Sequence, residues 1–567
     1  LKKNTTYYLR AHATNSDTTI YGNEVEFTTF PSYSNPAGDG TEANPYQIAN
    51  LKNLTWLMAA DTAWDKHYIQ TTDIDASATE SWYSGEGFIP IGNSNTNFTG
   101  TYNGQHHKID SLYINRGSSQ NIGLFGLVKG DLAQIENLGV TNVNITGEIN
   151  VAAIVGHNRG NIYQCYASGN VNSNFSGDYS NTGGITGINV DTIKNSFSKV
   201  NVTSEGNRVG GITGRNNNSG LIINCYSHGE VSGDDEIGGI VGSNYKGKLK
   251  YCYSTSPVNS DYFYVSGIVG KYYNGTIQNS FWDTETSGQS SGGGTGLSTS
   301  EMQDFNNYIE ADWDFLNTWG FNPAENNGYP FLKWQGIEND FPLAIKTEEI
   351  TNKDYPSAKI KGLIFGLDNS NLEAHGACWN ASGTPTIADD TTNKGGSVNT
   401  DTIRSEITGL EVNNQYHVRT YLITNDTTIY SNEVTFITLK KELNIGGNFT
   451  VEDKEYDGTT DATITENNLA LEGIIDDEEA ELTNVSAVFA QAEEGMDITV
   501  TIDTAELEGA DTANYCLSLT DAPTTKADIT EATGINHADK AGIKLYPNPF
   551  QDYIMIESER EIKKVEI

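Results

Sequence analysis

Between Asn121 and Thr286 the apolar positions come in short bursts at a fixed period. Six of them open on a Gly/Ile/Gly core: Gly123-Leu124-Phe125-Gly126, Ala153-Ile154-Val155-Gly156, Gly184-Ile185-Thr186-Gly187, Gly211-Ile212-Thr213-Gly214, Gly239-Ile240-Val241-Gly242 and Gly267-Ile268-Val269-Gly270. Their first residues lie 27 to 31 positions apart. A second burst recurs in the last five blocks, at Ile162 to Tyr166, Ile193 to Phe197, Ile222 to Tyr226, Leu249 to Tyr253 and Ile277 to Phe281. The bursts are short, β-branched and bounded by Gly and Asn, which predicts short strands between tight bends. No block is large enough to bury a core of its own, but stacked blocks bury a continuous one. One coil per block at ~4.8 Å makes six repeats about 29 Å long. Propeller blades need about 40 residues and leucine-rich repeats a Leu frame, so the pattern predicts a parallel β-helix.

Around this repeat the pattern changes. Leu51, Leu54, Leu57 and Met58 share one face of a helix predicted over Leu51–Ala60, with Asn50 as its cap. That helix is expected to cover the open end of the β-helix, and the alternating stretch 66–120 to form its first coils. After a Ser/Gly loop at 288–296 come a short helix over Ser300–Tyr308 and the aromatics Trp313, Phe315, Trp319, Phe321, Tyr329, Phe331 and Trp334. They read as a cap plugging the far end, since terminal repeats need one; a sugar-binding cluster is the alternative. Residues 1–29 align without gaps on 410–438, sharing Tyr7/Tyr416, Arg10/Arg419, Tyr21/Tyr430, Val25/Val434 and Phe27/Phe436. The first copy lacks the β-rich lead-in of the second. The chain is therefore expected to start inside a domain, with any signal peptide upstream.

Several stretches resemble known families. The blocks, with the lead-in Gly40 to Ile48 and the ending Gly328 to Trp334, resemble the GLUG repeat of bacterial surface proteins. That resemblance implies a right-handed parallel β-helix on an extracellular protein and names no ligand. Gly376-Ala377-Cys378-Trp379 and the run Gly409 to Phe436 resemble fibronectin type III modules, which are β-sandwiches. Lys454-Glu455-Tyr456-Asp457-Gly458-Thr459-Thr460 resembles the start of the YDG module. Tyr546-Pro547-Asn548-Pro549, followed by a strand-like alternation, resembles the C-terminal sorting domain of type IX secretion substrates. It implies export across an outer membrane and partnership with that secretion machinery.

The resulting division is all-β. It comprises 1–30, the end of a fibronectin type III-like domain; 31–337, the β-helix with its end caps; 338–440, a fibronectin type III-like domain; 441–530, a YDG-like module; and 531–567, a truncated sorting domain.

Charge narrows the partners. A formal net charge of −40 over 567 residues repels nucleic acid and anionic membranes. No apolar run approaches the ~18 residues of a membrane span. Five scattered cysteines form no CxxC pair, so neither a zinc site nor a disulfide framework is expected. Cys225 and Cys252 fall at equivalent positions of adjacent coils and are expected as stacked free thiols. No metal is predicted; calcium is compatible with the acidity, but Asp476 to Glu479 reads as a solvated loop rather than a calcium loop.

Motifs for catalysis are missing: no His-Glu-x-x-His, Gly-x-Ser-x-Gly or phosphate loop occurs. Asp234-Asp235-Glu236 is the densest acidic run in the repeats and reads as an exposed turn; His157 and His228 read as surface residues. The expected function is a secreted or cell-surface, adhesin-like scaffold without catalytic residues. The runner-up is a polysaccharide-active lyase or hydrolase.

One feature invites a ligand. If Val171 points inward, period two turns Cys165 and Ala167 in and Tyr166 out. The same register sends Phe197, Tyr226, Tyr253 and Phe281 outward. This ladder reads either as a self-stacking structural device or as a platform for neutral glycans or a host or environmental surface. Asp-(Ser/Thr)-x triplets, which resemble bacterial O-glycosylation acceptors, place candidate glycans on Thr18 and Thr427.

Overall fold

The computed structural model of the protein describes residues 1–531 except 261, 354–355, 368–371, 397, 399–400 and 426, and the backbone of 543–547 and 554–558. Strands dominate, and the chain forms two compact units, Leu1–Pro342 and Leu343–Ile567.

The first unit is built on a parallel β-solenoid of about six turns over residues 101–282. Its three parallel sheets hold 13, 12 and 6 strands, and each coil contributes to all three. The repeat columns become rungs. Val155, Thr186, Thr213, Val241 and Val269 align in the first sheet, as do Ile162, Ile193, Ile222, Leu249 and Ile277. Tyr166, Phe197, Tyr226, Tyr253 and Phe281 align in the second. The block isoleucines Ile154, Ile185, Ile212, Ile240 and Ile268 are fully buried in the core between the sheets.

Both block glycines are required by close approach. A Cβ on Gly211 would stand 2.0 Å from Ser227 Oγ, and one on Gly242 would stand 2.5 Å from the Val209 nitrogen of the coil below. Polar ladders also hold the coils in register. Asn158, Asn189, Asn216 and Asn244, all fully buried, pass amide hydrogen bonds of 2.9, 2.9 and 3.1 Å from coil to coil. Each amide also donates to a carbonyl of its own turn, so both amide protons of Asn158, Asn189 and Asn216 are used.

The predicted helix forms as Leu51–Ala59. Asn50 accepts from the backbone nitrogens of Lys52 and Asn53, and Leu54, Leu57 and Met58 are buried in the solenoid core. At the other end the aromatic segment does not plug the solenoid. A Ser/Gly loop crosses that end instead: Gly267 N donates to Ser291 O, and Ser266 Oγ to Gly292 O. The strand Thr295–Leu297 then extends the second sheet. The remaining chain turns back along the outside of the second sheet. It forms two short helices, Thr299–Met302 and Phe305–Glu310, and the antiparallel pair Trp319–Gly320 and Phe331–Leu332. We call residues 305–335 the strap.

Ahead of the solenoid, Thr6–Thr14 and Thr19–Thr28 form an antiparallel hairpin. The second unit contains a β-sandwich over 344–437. Its two sheets have the strand orders 344–351, 357–365, 402–408 and 390–391, 372–380, 415–424, 428–430, with 434–437 also on 415–424. Tyr416 begins the central strand and its hydroxyl accepts from Glu411 N at 2.8 Å, the tyrosine-corner arrangement of immunoglobulin-like sandwiches. Residues 441–530 form a further all-β unit of two sheets. The strands 543–547 and 554–558 pair antiparallel; Asn548 and Pro549 lie outside the described residues.

Candidate functional site

The outward aromatic file forms in the expected register. Cys165, Ala167 and Val171 face the core, while Tyr166 and its equivalents do not. The register survives because the bend falls just before the inward Cys165 and its equivalents: Gln164, Asn195, Asn224, Tyr251 and Asn279 all have φ between 45° and 53°. Asn tolerates this left-handed conformation; a tyrosine there is strained. Rings stack at 5.2 Å from Tyr166 to Phe197, 4.8 Å to Tyr226 and 5.0 Å to Tyr253. Phe281 leaves the file and stacks on Trp313 at 5.8 Å.

The expectation of an open aromatic platform is corrected, because the strap covers it. Tyr226 and Tyr253 are fully buried, Phe197 and Phe281 nearly so, and only Tyr166 is half-buried. Trp334 lies against Phe197, Trp319 against Tyr226 and Tyr253, and Tyr329 on Tyr253. The tyrosine hydroxyls are satisfied as well. Tyr226 donates to Gln335 Oε1 at 3.1 Å, Tyr253 to Pro330 O at 2.7 Å, and Tyr329 to Asp283 Oδ2 at 2.7 Å. These rings are therefore core, and none of the covered four can meet a glycan face.

Three other groups expected at the surface are also drawn inward. His228 lies under the strap, its Nδ1 on Thr255 Oγ1 and its Nε2 3.2 Å from Asn326 Oδ1. Burial, with Lys199 nearby, pushes its imidazole down to about 4, so it is neutral at pH 7. His157 is likewise pushed down to about 4 by burial and Arg159. Glu236 does not sit in an exposed acidic turn. It is 4 % exposed, φ 56°, and bridges Arg208 Nε at 3.0 Å and Lys271 Nζ at 2.9 Å. Burial raises its carboxyl, but the bonds from Lys271 and Arg208 outweigh that and leave it below the usual value. The column offered a signal: Asn121, Asn150 and Asn181 precede Arg208 and Glu236 at the same corner, Asn150 donating to Asn121 Oδ1 at 2.8 Å and Asn181 to Asn150 Oδ1 at 2.9 Å. An ion pair continues an amide ladder.

Beside the strap runs a polar cleft of about 500 Å³. Its floor is the bend column, with Asn195, Asn224 and Tyr251. One wall carries Tyr163 and Lys194, and Trp334 closes an end. The strap turn 312–318 makes the opposite wall. Asp314 organises that turn: Oδ1 accepts from the nitrogens of Leu316 and Asn317, and Oδ2 from Thr318 Oγ1 at 3.0 Å. Two indoles bracket the floor. Trp334 Nε1 donates to Asn195 O and Trp313 Nε1 to Asn279 O, both at 2.9 Å.

Cys225 and Cys252 are free, buried thiols, as are Cys165 and Cys378. Thr18 and Thr427 are exposed at the tips of equivalent hairpins. Among the described residues no group of three or more His, Cys, Asp or Glu is disposed to hold a metal, and no helix is long and apolar enough to cross a membrane.

Comparison with known proteins adds three findings. The YDG domain model matches residues 439–525, the region expected to hold that module. A protein of Evansella cellulosilytica described as a Gly-rich membrane protein is 27 % identical over 453 residues, spanning 60 % of this chain and 51 % of its own length. Halomucin of Haloquadratum walsbyi is 28 % identical over 330 residues, covering 56 % of this chain and 4 % of its own length. The chain thus spans about half of one relative and a small part of the other.

Proposed function

We propose that this chain is part of an extracellular surface protein whose β-solenoid is a rigid scaffold for adhesion or display, with neutral glycans as its partners. The observation that carries this reading is the solenoid's own chemistry. Its buried asparagines Asn158, Asn189, Asn216 and Asn244 are committed to a coil-to-coil ladder, and Glu236 is neutralised by Arg208 and Lys271 rather than paired with a second carboxylate. The names of the two relatives, a membrane protein and a mucin, agree with a surface location. In this reading the GLUG-type coils form the scaffold, the sandwich over 344–437 is a fibronectin type III-like spacer, and Tyr546 to Pro549 open a type IX sorting tail. Thr18 and Thr427 carry O-linked sugars, and the acidity favours neutral over anionic glycans.

The alternative, a polysaccharide lyase or hydrolase, needs carboxylates placed to move protons. The cleft carries two carboxylates, Asp312 and Asp314, and the oxygens of Asp314 are already engaged in its own turn. The test is surface labelling of intact cells of the producing organism, with binding of the purified chain to a neutral glycan array. Surface labelling with glycan binding and no cleavage products is the expected outcome; release of unsaturated or reducing ends from a bound polysaccharide would favour the enzyme.

A further inference from the structure

The bend column poses an arithmetic problem in hydrogen bonds. Its carbonyls point outward: Asn195 O and Asn279 O each take an indole N–H from the strap. Between them, on two successive coils, lie Asn224 and Tyr251. Among the described residues no donor reaches either of their carbonyls, and both line the cleft. The strap therefore satisfies the second and fifth positions of the column, and Gln164, Asn224 and Tyr251 keep carbonyls open to whatever enters. The fourth position is occupied by Tyr251, whose left-handed backbone, φ 51°, suits Asn or Gly far better than a ring. Strain of this kind persists where surrounding structure or function holds it.

We infer that this cleft, and not the aromatic file beneath the strap, is the glycan site, and that it takes a neutral oligosaccharide running along the solenoid axis. The inference rests on the glycan-binding reading above. Two acceptors one coil apart, ~4.8 Å, match hydroxyl groups on successive parts of a sugar chain, whose ring length is of that order. Asn224 Nδ2 donates to Asn195 Oδ1 at 3.0 Å, which leaves Asn224 Oδ1 as a further acceptor at the floor, and Tyr163, Tyr251 and Trp334 offer apolar ring surface for the C–H faces of the sugar. A volume of about 500 Å³ is within the range of sites for small ligands. Lys194 on one wall faces Asp312 and Asp314 on the other, which leaves no excess positive charge to hold an acidic sugar.

The experiment is calorimetric titration of the full chain with cellotetraose, mannotetraose and chitotetraose, and with tetragalacturonate as the anionic comparison. The informative variant is Tyr251→Asn, which restores the residue type of the neighbouring bends. It is expected to leave Tm unchanged or raised while weakening binding of the preferred neutral sugar at least tenfold. Tyr163→Ala, on an outward ring, should weaken it similarly, and Phe263→Ala, a 95 % exposed ring outside the cleft, should not. Undiminished binding in both cleft variants overturns this assignment while glycan binding itself stands. Preference for tetragalacturonate overturns the neutral class. Failure of the wild type to bind any neutral member removes the glycan reading and this inference together.

Discussion

The solenoid carries two outward groups of tyrosines that meet opposite fates. On the second sheet, Tyr226 and Tyr253 stack at 5.0 Å and are fully buried beneath the strap. Around the last coils, Tyr245, Tyr264 and Tyr273 remain in contact with solvent, Tyr264 47 % and Tyr273 36 % exposed. Each of the exposed rings is accompanied by a cation: Arg215 lies 5.5 Å from the Tyr245 centroid, and Lys271 lies 4.2 Å from that of Tyr264 and 5.2 Å from that of Tyr273. The residue type and the coil spacing are shared; the difference is cover. Where another segment supplies aromatic surface, tyrosine becomes core and its hydroxyl finds a carbonyl or amide. Where none does, the faces of Tyr245, Tyr264 and Tyr273 attract a cation, and at Lys271 that cation is itself fixed by Glu236.

The comparison breaks most visibly if the cover is removed. Trp319 is fully buried, 4.5 Å from Trp313 and within 6.3 Å of both Tyr226 and Tyr253. Trp319→Ala leaves a cavity at the centre of the strap and should destabilise the first unit by about 3–5 kcal/mol. Denaturant unfolding followed by tryptophan fluorescence reads this directly. A loss under ~1 kcal/mol would mean that the strap does not hold the ladder.

Why the register was legible and the cover was not follows from the range of the interactions. Cys165, Ala167 and Val171 inward with Tyr166 outward is a period-two statement over seven residues, and the bend at Gln164 precedes it. Trp334 meeting Asn195 O spans 139 positions, and nothing in the spacing of the strap aromatics separates a plug from a strap. Glu236 was hidden differently. Its neighbours Asp234 and Asp235 made it look like a solvated turn, whereas its partners are one coil away on either side. Cleft residues carried almost no signal, since open carbonyls are invisible in a sequence; Tyr251 in a column of Asn and Gln was the one departure. Equivalent hairpins make the same point. Leu9 and Phe27 are 61 % and 39 % exposed, while their counterparts Val418 and Phe436 are 0 % and 5 % exposed within the sandwich. A matching hairpin sequence does not fix burial; the facing sheet does.

Acid should separate the two groups of rings. His228 packs among Tyr226, Tyr253 and Tyr329 with its imidazole held down to about 4, against an ordinary 6.5. A depressed histidine means that the unfolded chain takes up the proton first. Its stabilising share is therefore complete above pH 6.5 and is lost as pH falls from 6.5 toward 4. The shift corresponds to about 2–3 kcal/mol of stability lost over that window. His157, pushed down to about 4 as well, adds a loss of the same sign. The measurement is Tm from pH 7 to pH 4 for wild type and His228→Gln. The variant should show a shallower fall, and parallel curves would mean that the imidazole is not buried in solution.

The smallest effect is expected on the uncovered rings, and it sharpens the contrast. Tyr245 lies beneath Arg215 at 5.5 Å and Lys246 at 5.3 Å and meets Tyr273 at 6.0 Å, yet no strap residue lies on it. Tyr245→Ala removes a half-buried ring and two cation contacts, one from the half-buried Arg215 and one from the exposed Lys246. The cation contacts are worth about 0.5–1 kcal/mol apiece at such sites, and long cationic side chains can regain water when the ring is lost. The net cost should be about 1 kcal/mol or less, several-fold below that of Trp319→Ala by the same denaturant measurement. Added salt provides the discriminating control. Screening over a Debye length of ~10 Å at 0.1 M weakens exposed charge contacts far more than buried packing. The penalty for Tyr245→Ala should therefore shrink as salt rises from 0.05 to about 0.5 M, while that for Trp319→Ala stays constant. A Tyr245→Ala penalty that matched the covered rings and ignored salt would show that this ring is also core, and the division between covered and cation-paired tyrosines would fall.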